Sequence, residues 1–573
     1  MIAKKWVTAK LPKTAEDLKT IQNLQNELNI SIPLATLLWQ RDVTDFDTAK
    51  SFFNPDIDGL HNPFLMKDMD LALARLEGAI ENKETIVIYG DYDVDGTTAV
   101  ALVYGFLSKF YEHIHHYNPD RYKEGYGVSQ MGIDHAVELG ATLMITLDCG
   151  IKSIENVAYA KSKGLDFIIC DHHEPGEELP AAIAVLDPKR KDCPYPYKEL
   201  TGNGVGFKLL TAYCLHNNIP LAELFEYIDL AMVSIASDIV PITGENRILA
   251  HHGLLKLNTH PRPGLKALKE VAGFQGEMTI ESVVFTIGPR INAAGRIKHA
   301  KAAVDLLLTD DYEEAVNFAY VIQQHNTERK TFDSNITEEA LEMIRASDAS
   351  LLSTVLYKED WHKGVIGIVA SRCIEHYYRP TVIFTKTKEG FAAGSARSIA
   401  GINLYDAIEQ CSDWLEQFGG HMHAAGMTIP IENIEPFAKA FNEVIAAQLN
   451  HTPAIPHLAV DVEVSIADLD AKFYRIMKRM GPFGPKNMQP VFQSVGVRLA
   501  NEPRVLKEKH LKLEIMDPTT GTVMTALAFN MAPYILDDLR TYDQFDIAYS
   551  LEENNFRGQK SLQLYIKDVK FDK

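Results

Sequence analysis

Three aspartates stand at alternate positions in the stretch IVIYGDYDVDGTT, directly after a short apolar run. They are Asp91, Asp93 and Asp95. Because side chains at positions i, i+2 and i+4 of an extended chain project to one face, the three carboxylates are expected to lie side by side at a strand end. Neighbouring carboxylates repel one another, and hard divalent cations prefer such oxygen ligands. The motif therefore predicts a cation site; the alternative is a solvated turn rich in aspartate and glycine.

Two later apolar runs also end in acidic or imidazole side chains. The run ATLMITLD ends with Asp148, and IICDHH ends with Asp171, His172 and His173. Ligands gather at the carboxyl ends of strands in open α/β sheets, so these side chains are expected to meet the three aspartates. Asp238, at the end of LAMVSIASD, adds another carboxylate, although by itself it fits a helix end or a surface position equally well.

The mixture of carboxylates and imidazole favours manganese or magnesium as the bound metal. The six cysteines form no CxxC pair, which argues against a structural zinc site and against a disulfide scaffold. Two cations roughly 3.5 to 4 Å apart, bridged by a shared carboxylate, would activate a water molecule and stabilise the attacking and leaving oxygens of a phosphoryl displacement. The cluster therefore predicts hydrolysis of a phosphoester or a phosphoanhydride.

The pattern of apolar residues predicts the elements that carry these side chains. Residues 85 to 240 alternate short apolar runs with helical periodicity, which is typical of βαβ units in a parallel sheet. Residues 311 to 346 form one long polar stretch, typical of a helix that connects domains. A second α/β pattern extends to residue 449, and after the tract HTPAIP alternating runs predict a small β-barrel of the OB-fold type.

Composition limits the classes of protein that this chain can belong to. Its 573 residues are enough for several domains, and no run approaches the roughly 18 apolar residues of a membrane span. The first residues lack the apolar run of a signal peptide, so a cytoplasmic protein is expected. A net charge of -20 is unusual for a protein that binds nucleic acid, but residues 455 to 573 carry 16 Lys and Arg against 16 Asp and Glu.

The stretches GDYDVDG, TLDCG, CDHH and the SD of IASDIV resemble, in the same order, the four acidic motifs of the DHH phosphoesterases. The resemblance implies two cations that share Asp148, one held also by Asp93 and the other also by Asp95, His172 and Asp238. Asp91 and His173 would lie close by, with His173 against the scissile phosphate. The seven residues are the candidate catalytic residues.

One position departs from a branch of that family. Its pyrophosphatases carry a histidine ligand four positions before the first metal-binding aspartate, and here that position is Tyr89. Two consequences are open: the first cation binds more weakly, or Asp91 substitutes for the histidine.

Further candidates for substrate contact come from glycine-rich runs that resemble the DHH-associated domain. Glycine lets the backbone approach an anion, and arginine offers two parallel N–H donors to a phosphate. The runs GPRINAAGR, GSARS and GGHMHAAG supply Arg290, Arg296, Ser395, Arg397 and His421. In the first domain, PDRYKEGYG offers Arg121 for a phosphate and Tyr126 for stacking on a base, and an ordinary polar loop is the alternative there.

Over essentially its whole length the chain resembles the RecJ exonucleases of the DHH family. The resemblance implies a DHH parallel-sheet catalytic domain and a DHH-associated α/β domain joined by a long helix, followed by an OB-fold β-barrel that binds nucleic acid. The expected domains are an N-terminal segment at 1–80, the catalytic domain at 81–245, a connecting region with the long helix at 246–349, the DHH-associated domain at 350–450 and the barrel at 457–573.

The resemblance also implies an activity and partners. The expected activity is hydrolysis of single-stranded DNA from the 5′ end to mononucleotides, in DNA repair and recombination. A monomer is expected, with a single-strand-binding protein and a helicase as candidate partners and no membrane association. The alternatives are a phosphodiesterase for short oligonucleotides or cyclic dinucleotides, which generally lacks a third domain, a small-molecule pyrophosphatase, disfavoured by Tyr89, and a non-catalytic RecJ-like replication scaffold, which would have lost metal ligands.

Overall fold

In a computed structural model, the chain is described over residues 3–121, 123–297, 301–387, 390–556 and 558–571, without the side chains of residues 295–297 and 556. It divides into two compact units. We call the first the parallel-sheet unit, formed by Val43–Thr327 and Met477–Gln489. The second is the composite unit, formed by Met1–Asp42, Glu328–Ile476 and Pro490–Lys573.

The secondary structure alternates between helices and short strands in most of the chain. The strands are β1 (Lys5–Thr8), β2 (Thr85–Gly90), β3 (Ile114–Tyr117), β4 (Ala141–Leu147), β5 (Asp166–Cys170), β6 (Ala184–Leu186), β7 (Thr354–Tyr357), β8 (Thr381–Lys386), β9 (Phe391–Arg397), β10 (Gln417–Gly420), β11 (Ala424–Pro430), β12 (His457–Val460), β13 (Val462–Glu463), β14 (Phe492–Leu499), β15 (Arg504–Leu506), β16 (His510–Met516), β17 (Val523–Ala528), β18 (Phe545–Phe556) and β19 (Gln559–Lys570). The helices are α1 (Ala15–Leu28), α2 (Ile32–Gln40), α3 (Phe46–Phe53), α4 (Met69–Glu81), α5 (Val94–Leu107), α6 (Gln130–Glu138), α7 (Ile154–Ser162), α8 (Gly202–His216), α9 (Leu221–Phe225), α10 (Ile228–Ser237), α11 (Gly244–Thr259), α12 (Pro263–Val271), α13 (Ile280–Thr286), α14 (Gly288–Ile297), α15 (Lys301–Leu308), α16 (Tyr312–Ala346), α17 (Ile366–Tyr377), α18 (Leu404–Glu409), α19 (Ile434–Gln448), α20 (Ala471–Arg479) and α21 (Ala532–Thr541).

A parallel sheet with strand order β3-β2-β4-β5-β6 forms the centre of the parallel-sheet unit. Strands β2, β4, β5 and β6 are almost entirely buried because helices cover both faces of the sheet. In β2, Ile86 and Ile88 enter the larger core, whereas Val87 and Tyr89 enter a smaller core on the opposite face. This arrangement aligns the carboxyl ends of successive strands along one edge of the sheet.

The larger core continues well past residue 245. It includes apolar side chains from α11 to α15 and extends to Ile322 in α16. The stretch LAELFEYIDLAMVSIAS forms two helices, α9 and α10. The predicted long helix is α16, with 35 residues, and the division between the two units falls inside it, after Thr327.

Two sheets form most of the composite unit. The first has the strand order β10-β11-β9-β8-β7 and packs against α19 and α17. In the second, the sheet closes on itself because β14 pairs with both β18 and β16. The runs predicted as barrel strands are β14, β16, β17, β18 and β19. We call this second sheet the closed sheet.

The N-terminal segment predicted as one piece at 1–80 is divided between the two units after residue 42. Within the composite unit, β1 pairs in parallel with β12, and Trp6 Nε1 donates a hydrogen bond to Asp568 Oδ2 at 2.8 Å. Gln40 Nε2 donates to the carbonyl oxygen of Asp461, also at 2.8 Å. These contacts join residues more than 400 positions apart, so no local pattern could have predicted them.

A segment at 477–489, inside the stretch predicted as the barrel domain, packs within the parallel-sheet unit. The backbone N–H of Ile242 donates to the carbonyl oxygen of Pro485 at 2.8 Å. Arg247 Nη2 donates to the carbonyl oxygens of Gly481, at 2.8 Å, and Phe52, at 2.9 Å. The sequence boundary at 457 therefore does not separate the two units.

None of the helices in the described ranges combines the length and apolar character that a membrane span requires.

Candidate metal centre

The turn between β2 and α5 carries the first three aspartates. Asp93 is the N-cap of α5, and its Oδ1 accepts a hydrogen bond from the backbone N–H of Gly96 at 3.1 Å. A Cβ atom on Gly96 would lie 2.4 Å from the carbonyl oxygen of Asp91, so this turn requires glycine. The expectation of an extended chain through all three aspartates is wrong, because α5 begins at Val94 and Asp95 lies in its first turn.

Asp95 is held by the N-terminus of α8. Its carboxylate accepts hydrogen bonds from the backbone N–H groups of Gly202, at 2.6 Å, and Asn203, at 2.9 Å. The Ser234 hydroxyl donates a third, at 2.7 Å. The backbone N–H groups at this helix end are free to bind carboxylate oxygens, so α8 fixes the orientation of Asp95.

Asp148 follows β4 and has a left-handed backbone, with φ of 59°. Such a conformation costs a residue other than glycine roughly 1–3 kcal/mol and is concentrated at functional sites. The backbone N–H of Asp148 donates to the carbonyl oxygen of Cys170 at 2.9 Å, which fixes the turn against β5. Burial, followed by the charges of Asp95 and Asp93, raises the pKa of Asp148 well above its usual value.

The imidazole of His172 faces three carboxylates. Its Nε2 lies 3.2 Å from Asp148 Oδ1, 3.6 Å from Asp238 Oδ2 and 3.8 Å from Asp95 Oδ2. Among the described residues, neither ring nitrogen of His172 makes a hydrogen bond, although both are buried. Burial lowers the pKa of His172, which favours the neutral imidazole that binds metals. A buried neutral nitrogen among carboxylates fits a cation in their midst.

His173 lies between Asp171 and Tyr126. Its Nδ1 is 2.7 Å from Asp171 Oδ1, and its Nε2 is 3.0 Å from the Tyr126 hydroxyl. Burial opposes ionisation of Asp171, but its hydrogen bonds with His173 and with the Ile151 backbone N–H lower its pKa to about 2. Burial likewise opposes a charge on His173, yet Asp171 outweighs it and raises the pKa of His173. An ionised Asp171 therefore fixes a proton on Nδ1 and directs Nε2 toward Tyr126.

Three sets of side chains place ligand atoms within 4.8 Å of one another. They are Asp91 with Asp93 and Asp148, Asp95 with His172 and Asp238, and Asp148 with His172 and His173. All seven candidate catalytic residues of the sequence analysis thus lie in one cluster. Burial and the charge of a neighbouring carboxylate also raise the pKa values of Asp91 and Asp238. This crowding of acidic oxygens fits hard divalent cations, which would relieve the repulsion.

Two substrate candidates lie in the loop between β3 and α6 of the same unit. The Tyr126 hydroxyl donates to the carbonyl oxygen of Asp148 at 3.3 Å and contacts His173, so this loop reaches the cluster. Tyr126 is 56% exposed, so solvent reaches this residue beside the cluster. The Arg121 guanidinium lies 5.0 Å from the centre of the Tyr92 ring, in the turn that carries the aspartates.

The GPRINAAGR run lies entirely within α14. Arg290 is only 5% exposed, and its Nη1 donates to the carbonyl oxygen of Thr286 one turn earlier. Arg290 is therefore buried in the protein interior, whereas Tyr126 is exposed to solvent. The side chain of Arg296 lies outside the described residues.

The remaining candidates lie in the composite unit. Arg397 Nη1 donates to Ser395 Oγ at 3.2 Å, and a Cβ atom on Gly367 would lie 2.8 Å from both side chains. Both therefore lie against the first turn of α17, whose N-terminus adds partial positive charge. His421 is exposed in the turn between β10 and β11, and Arg397 pairs with Ala424 at the end of the same hairpin.

Comparison with known families covers most of the chain. The model of the DHH family N-terminal domain matches residues 85–235, that of the DHHA1 domain matches residues 348–447, and that of the RecJ OB domain matches residues 460–568. The single-stranded-DNA-specific exonuclease RecJ of Bacillus subtilis (strain 168) is 36% identical over 556 residues, which are 96% of this chain and 70% of the relative. The chain belongs to the RecJ family.

Solved RecJ structures have the same fold. The crystal structure of RecJ from Thermus thermophilus in complex with Mn²⁺ has a TM-score of 0.84 at 27% identity and covers 99% of this chain and 80% of that chain. The corresponding Mg²⁺ complex has a TM-score of 0.78 at 26% identity, and the match covers 99% of this chain and 79% of that chain. The predicted fold class, a DHH parallel-sheet domain and a DHH-associated domain joined by a long helix with a C-terminal OB domain, is confirmed.

Two features near the metal centre of this RecJ-family chain were not predicted from its sequence. Asp187 follows β6 directly, so the rule that found Asp148 would have found it too. Burial raises the pKa of Asp187 to about 7, and its Oδ1 accepts from the backbone N–H of Lys189 at 2.7 Å. The second feature is the set of hydrogen bonds from α8 to Asp95. The sequence indicates it only weakly, through the threonine N-cap and the glycines of TGNGVG.

Proposed function

We propose that the chain is a metal-dependent exonuclease that hydrolyses phosphodiester bonds of single-stranded DNA from the 5′ end and releases mononucleotides, in DNA repair and recombination. The observation that carries this proposal is the convergence of five aspartates and two histidines in three overlapping ligand sets. Membership of the RecJ family, whose curated relatives are single-stranded-DNA-specific exonucleases, supports the choice of substrate.

The proposed metal-binding roles come from the resemblance to the DHH phosphoesterases, and the overlapping ligand sets are compatible with them. Asp93 and Asp148 would hold one divalent cation, and Asp95, Asp148, His172 and Asp238 the other. Manganese and magnesium both fit these oxygen and imidazole donors, and RecJ of Thermus thermophilus was solved with each ion. When bound, such cations activate water and stabilise negative charge on the attacking and leaving oxygens.

The chain's own groups orient the substrate around this centre. His173, oriented by Asp171, would lie against the scissile phosphate. Arg121 would bind a phosphate, and the exposed ring of Tyr126 would stack on a base. Arg290, Arg296, Ser395, Arg397 and His421 remain proposed substrate contacts, among which Ser395 and Arg397 have the best supported anion-binding geometry.

The outer face of the closed sheet supports a polymeric substrate. Across four strands, the pairs Arg504 with Lys512, Lys512 with Leu527, and Leu527 with Tyr565 form one row. Phe529 lies beside it, 48% exposed and 5.4 Å from the Tyr565 ring in an edge-to-face contact. Cations next to exposed aromatic rings are the features with which OB-folds bind single strands.

The remaining proposals concern the cellular setting. We expect a monomer that acts in the cytoplasm with a single-strand-binding protein and a helicase. Size-exclusion chromatography with light scattering would test the monomer, and pull-down with the two partners would test the associations.

The central experiment is digestion of single-stranded DNA labelled at either end, with Mn²⁺ or Mg²⁺. We expect mononucleotides to appear first from the 5′ label and to require metal, with duplex DNA and RNA degraded much more slowly. The Asp148→Asn protein, purified in parallel, controls for contaminating nucleases. Release from the 3′ label first would contradict the polarity, and cleavage restricted to oligomers of a few nucleotides would favour a short-oligonucleotide phosphodiesterase instead.

A further inference from the structure

Tyr89 occupies the position of a metal-ligand histidine in pyrophosphatase relatives, but its hydroxyl is committed elsewhere. The side chain is fully buried, and its ring stacks on Tyr117 with 5.5 Å between centres. The hydroxyl donates to the carbonyl oxygen of Gly127 at 2.8 Å and accepts from the backbone N–H of Ser129 at 3.2 Å. Burial raises the pKa of Tyr89 well above its usual value, so the hydroxyl keeps its proton.

Both hydrogen bonds of that hydroxyl go to the loop between β3 and α6, which carries Tyr126. Tyr126 is flanked by Gly125 and Gly127, both in the left-handed region with φ of 85° and 83°. Glycine is the residue with the greatest backbone freedom, so a side chain between two glycines is poorly fixed by its own backbone. An external anchor is therefore needed to fix the direction of Tyr126.

The end of β2 supplies further anchors to the same loop. Asn118 Nδ2 donates to the carbonyl oxygens of Gly90, at 3.0 Å, and Asp91, at 2.9 Å. The backbone N–H of Gly127 lies 3.3 Å from Asp91 Oδ1. The strand that leads into the aspartate turn thus also fixes the loop on both sides of Tyr126, whose hydroxyl reaches His173.

We propose that Tyr89 is a positioning residue whose hydroxyl fixes the Gly125–Gly127 segment and thereby holds Tyr126 against His173 at the metal centre. The inference rests on the proposed function for its kinetic test. In this proposal Tyr89 acts on the loop that carries Tyr126 and is not a metal ligand.

The test is Tyr89→Phe, which removes the hydroxyl and keeps the ring and its stacking on Tyr117. We expect unchanged Mn²⁺ stoichiometry and affinity, measured with the metal alone by calorimetry. We expect kcat/KM on single-stranded DNA to fall roughly threefold to tenfold, the range set by one or two neutral hydrogen bonds. Loss of a metal equivalent would overturn the proposal, because it would make Tyr89 a ligand.

Tyr111→Phe is the matched control. Tyr111 is also buried in the parallel-sheet unit, and its hydroxyl donates to the carbonyl oxygen of Glu84 just before β2 begins. A general loss of stability from a missing tyrosine hydroxyl would lower activity equally in both variants. We expect only Tyr89→Phe to lose activity at matched stability, and equal losses would overturn the proposal.

A double-mutant cycle tests whether Tyr89 acts through Tyr126. In the Tyr126→Phe background, which lacks the hydroxyl that contacts His173, Tyr89→Phe should have at most a twofold effect, since coupled residues are not additive. If Tyr89→Phe costs the same factor in both backgrounds, it does not act through Tyr126 and the proposal is wrong.

Trypsin cleavage after Arg121 and Lys123 provides a readout that needs no nuclease activity. We expect faster cleavage at these two bonds in Tyr89→Phe than in wild type or Tyr111→Phe. Mass spectrometry of the fragments over time measures the cleavage rates. If the wild type degrades no DNA, the proposed function is wrong. The trypsin measurement still shows whether the Tyr89 hydroxyl fixes the loop. If cleavage rates are equal in all three proteins, the anchor itself is refuted.

Discussion

Gly202 approaches Asp148 so closely that a Cβ atom on the glycine would lie 2.5 Å from the Asp148 Cβ and 2.6 Å from its Cα. The same glycine donates its backbone N–H to Asp95 at 2.6 Å. One position in α8 thus fixes two carboxylates of the metal centre, and the close approach is possible only without a side chain.

Gly202→Ala is therefore expected to displace Asp148 and to reduce turnover at least tenfold, with a loss of about 1–3 kcal/mol in the free energy of unfolding from overpacking. Urea unfolding and single-stranded-DNA digestion would measure both. Gly78→Ala is the matched control, because a Cβ atom at Gly78 in α4 meets nothing within 4 Å. Normal kcat in Gly202→Ala would show that the contact does not constrain the centre.

Asp148→Asn should abolish turnover and weaken metal binding while the fold survives. Without metal the substitution removes one charge from a crowded cluster, so the variant should unfold at the same or higher urea concentration than wild type. Saturating Mn²⁺ should stabilise wild type by about 2.7 kcal/mol at 100 times its Kd, and the variant by less. Urea unfolding with EDTA and with Mn²⁺ measures both effects. Near-normal activity in the soluble variant would refute the shared-ligand role.

His172→Ala and His173→Ala should separate metal binding from catalysis. The Nε2 of His172 faces three carboxylates, so its loss should reduce both metal content and rate. His173 is hydrogen-bonded to Asp171 and Tyr126, so its loss should lower the rate and leave most of the metal in place. Metal analysis after gel filtration, beside kcat, compares the two. Equal metal loss in both variants would remove the distinction.

Lys512→Ala and Phe529→Ala should weaken binding to long single strands and spare cleavage of dinucleotides. Each lost phosphate contact should reduce the slope of log K against log salt by roughly 0.7, and a lost base stack should cost about 1–3 kcal/mol. Fluorescence anisotropy over a salt series measures both. Lys560→Ala, with an equal charge change on the hairpin of β18 and β19, is the control. Unchanged affinity for long single strands and an unchanged salt response would exclude this face of the closed sheet as the DNA-binding surface.

Point substitutions are the better test because deletion of 457–573 would also remove residues of the parallel-sheet unit. The segment 477–489 includes Pro485, which accepts from the Ile242 backbone, and Gly481, which accepts from Arg247. Deletion would therefore disturb the unit that carries the metal centre and confound any loss of DNA binding.

The sequence by itself determined the types and order of the candidate ligands and the parallel strands that carry them. Asp148 and His172 could be predicted as neighbours because strand ends in a parallel sheet share one edge, a rule that needs only the apolar pattern. Strands β14, β16, β17, β18 and β19 of the closed sheet were predictable for a different reason, because the alternation of apolar and polar residues along a strand is local.

Tertiary structure decided the features that depend on contacts between distant residues. Three such features are the hydrogen bond from Gly202 to Asp95, the pairing of β1 with β12 and the packing of residues 477–489 in the parallel-sheet unit. They join positions about 100 to 450 apart, and such pairs leave no periodic signal in the chain. The role of Tyr89 is of the same kind. Its residue type was visible in the sequence, but only the folded loop shows which groups use its hydroxyl.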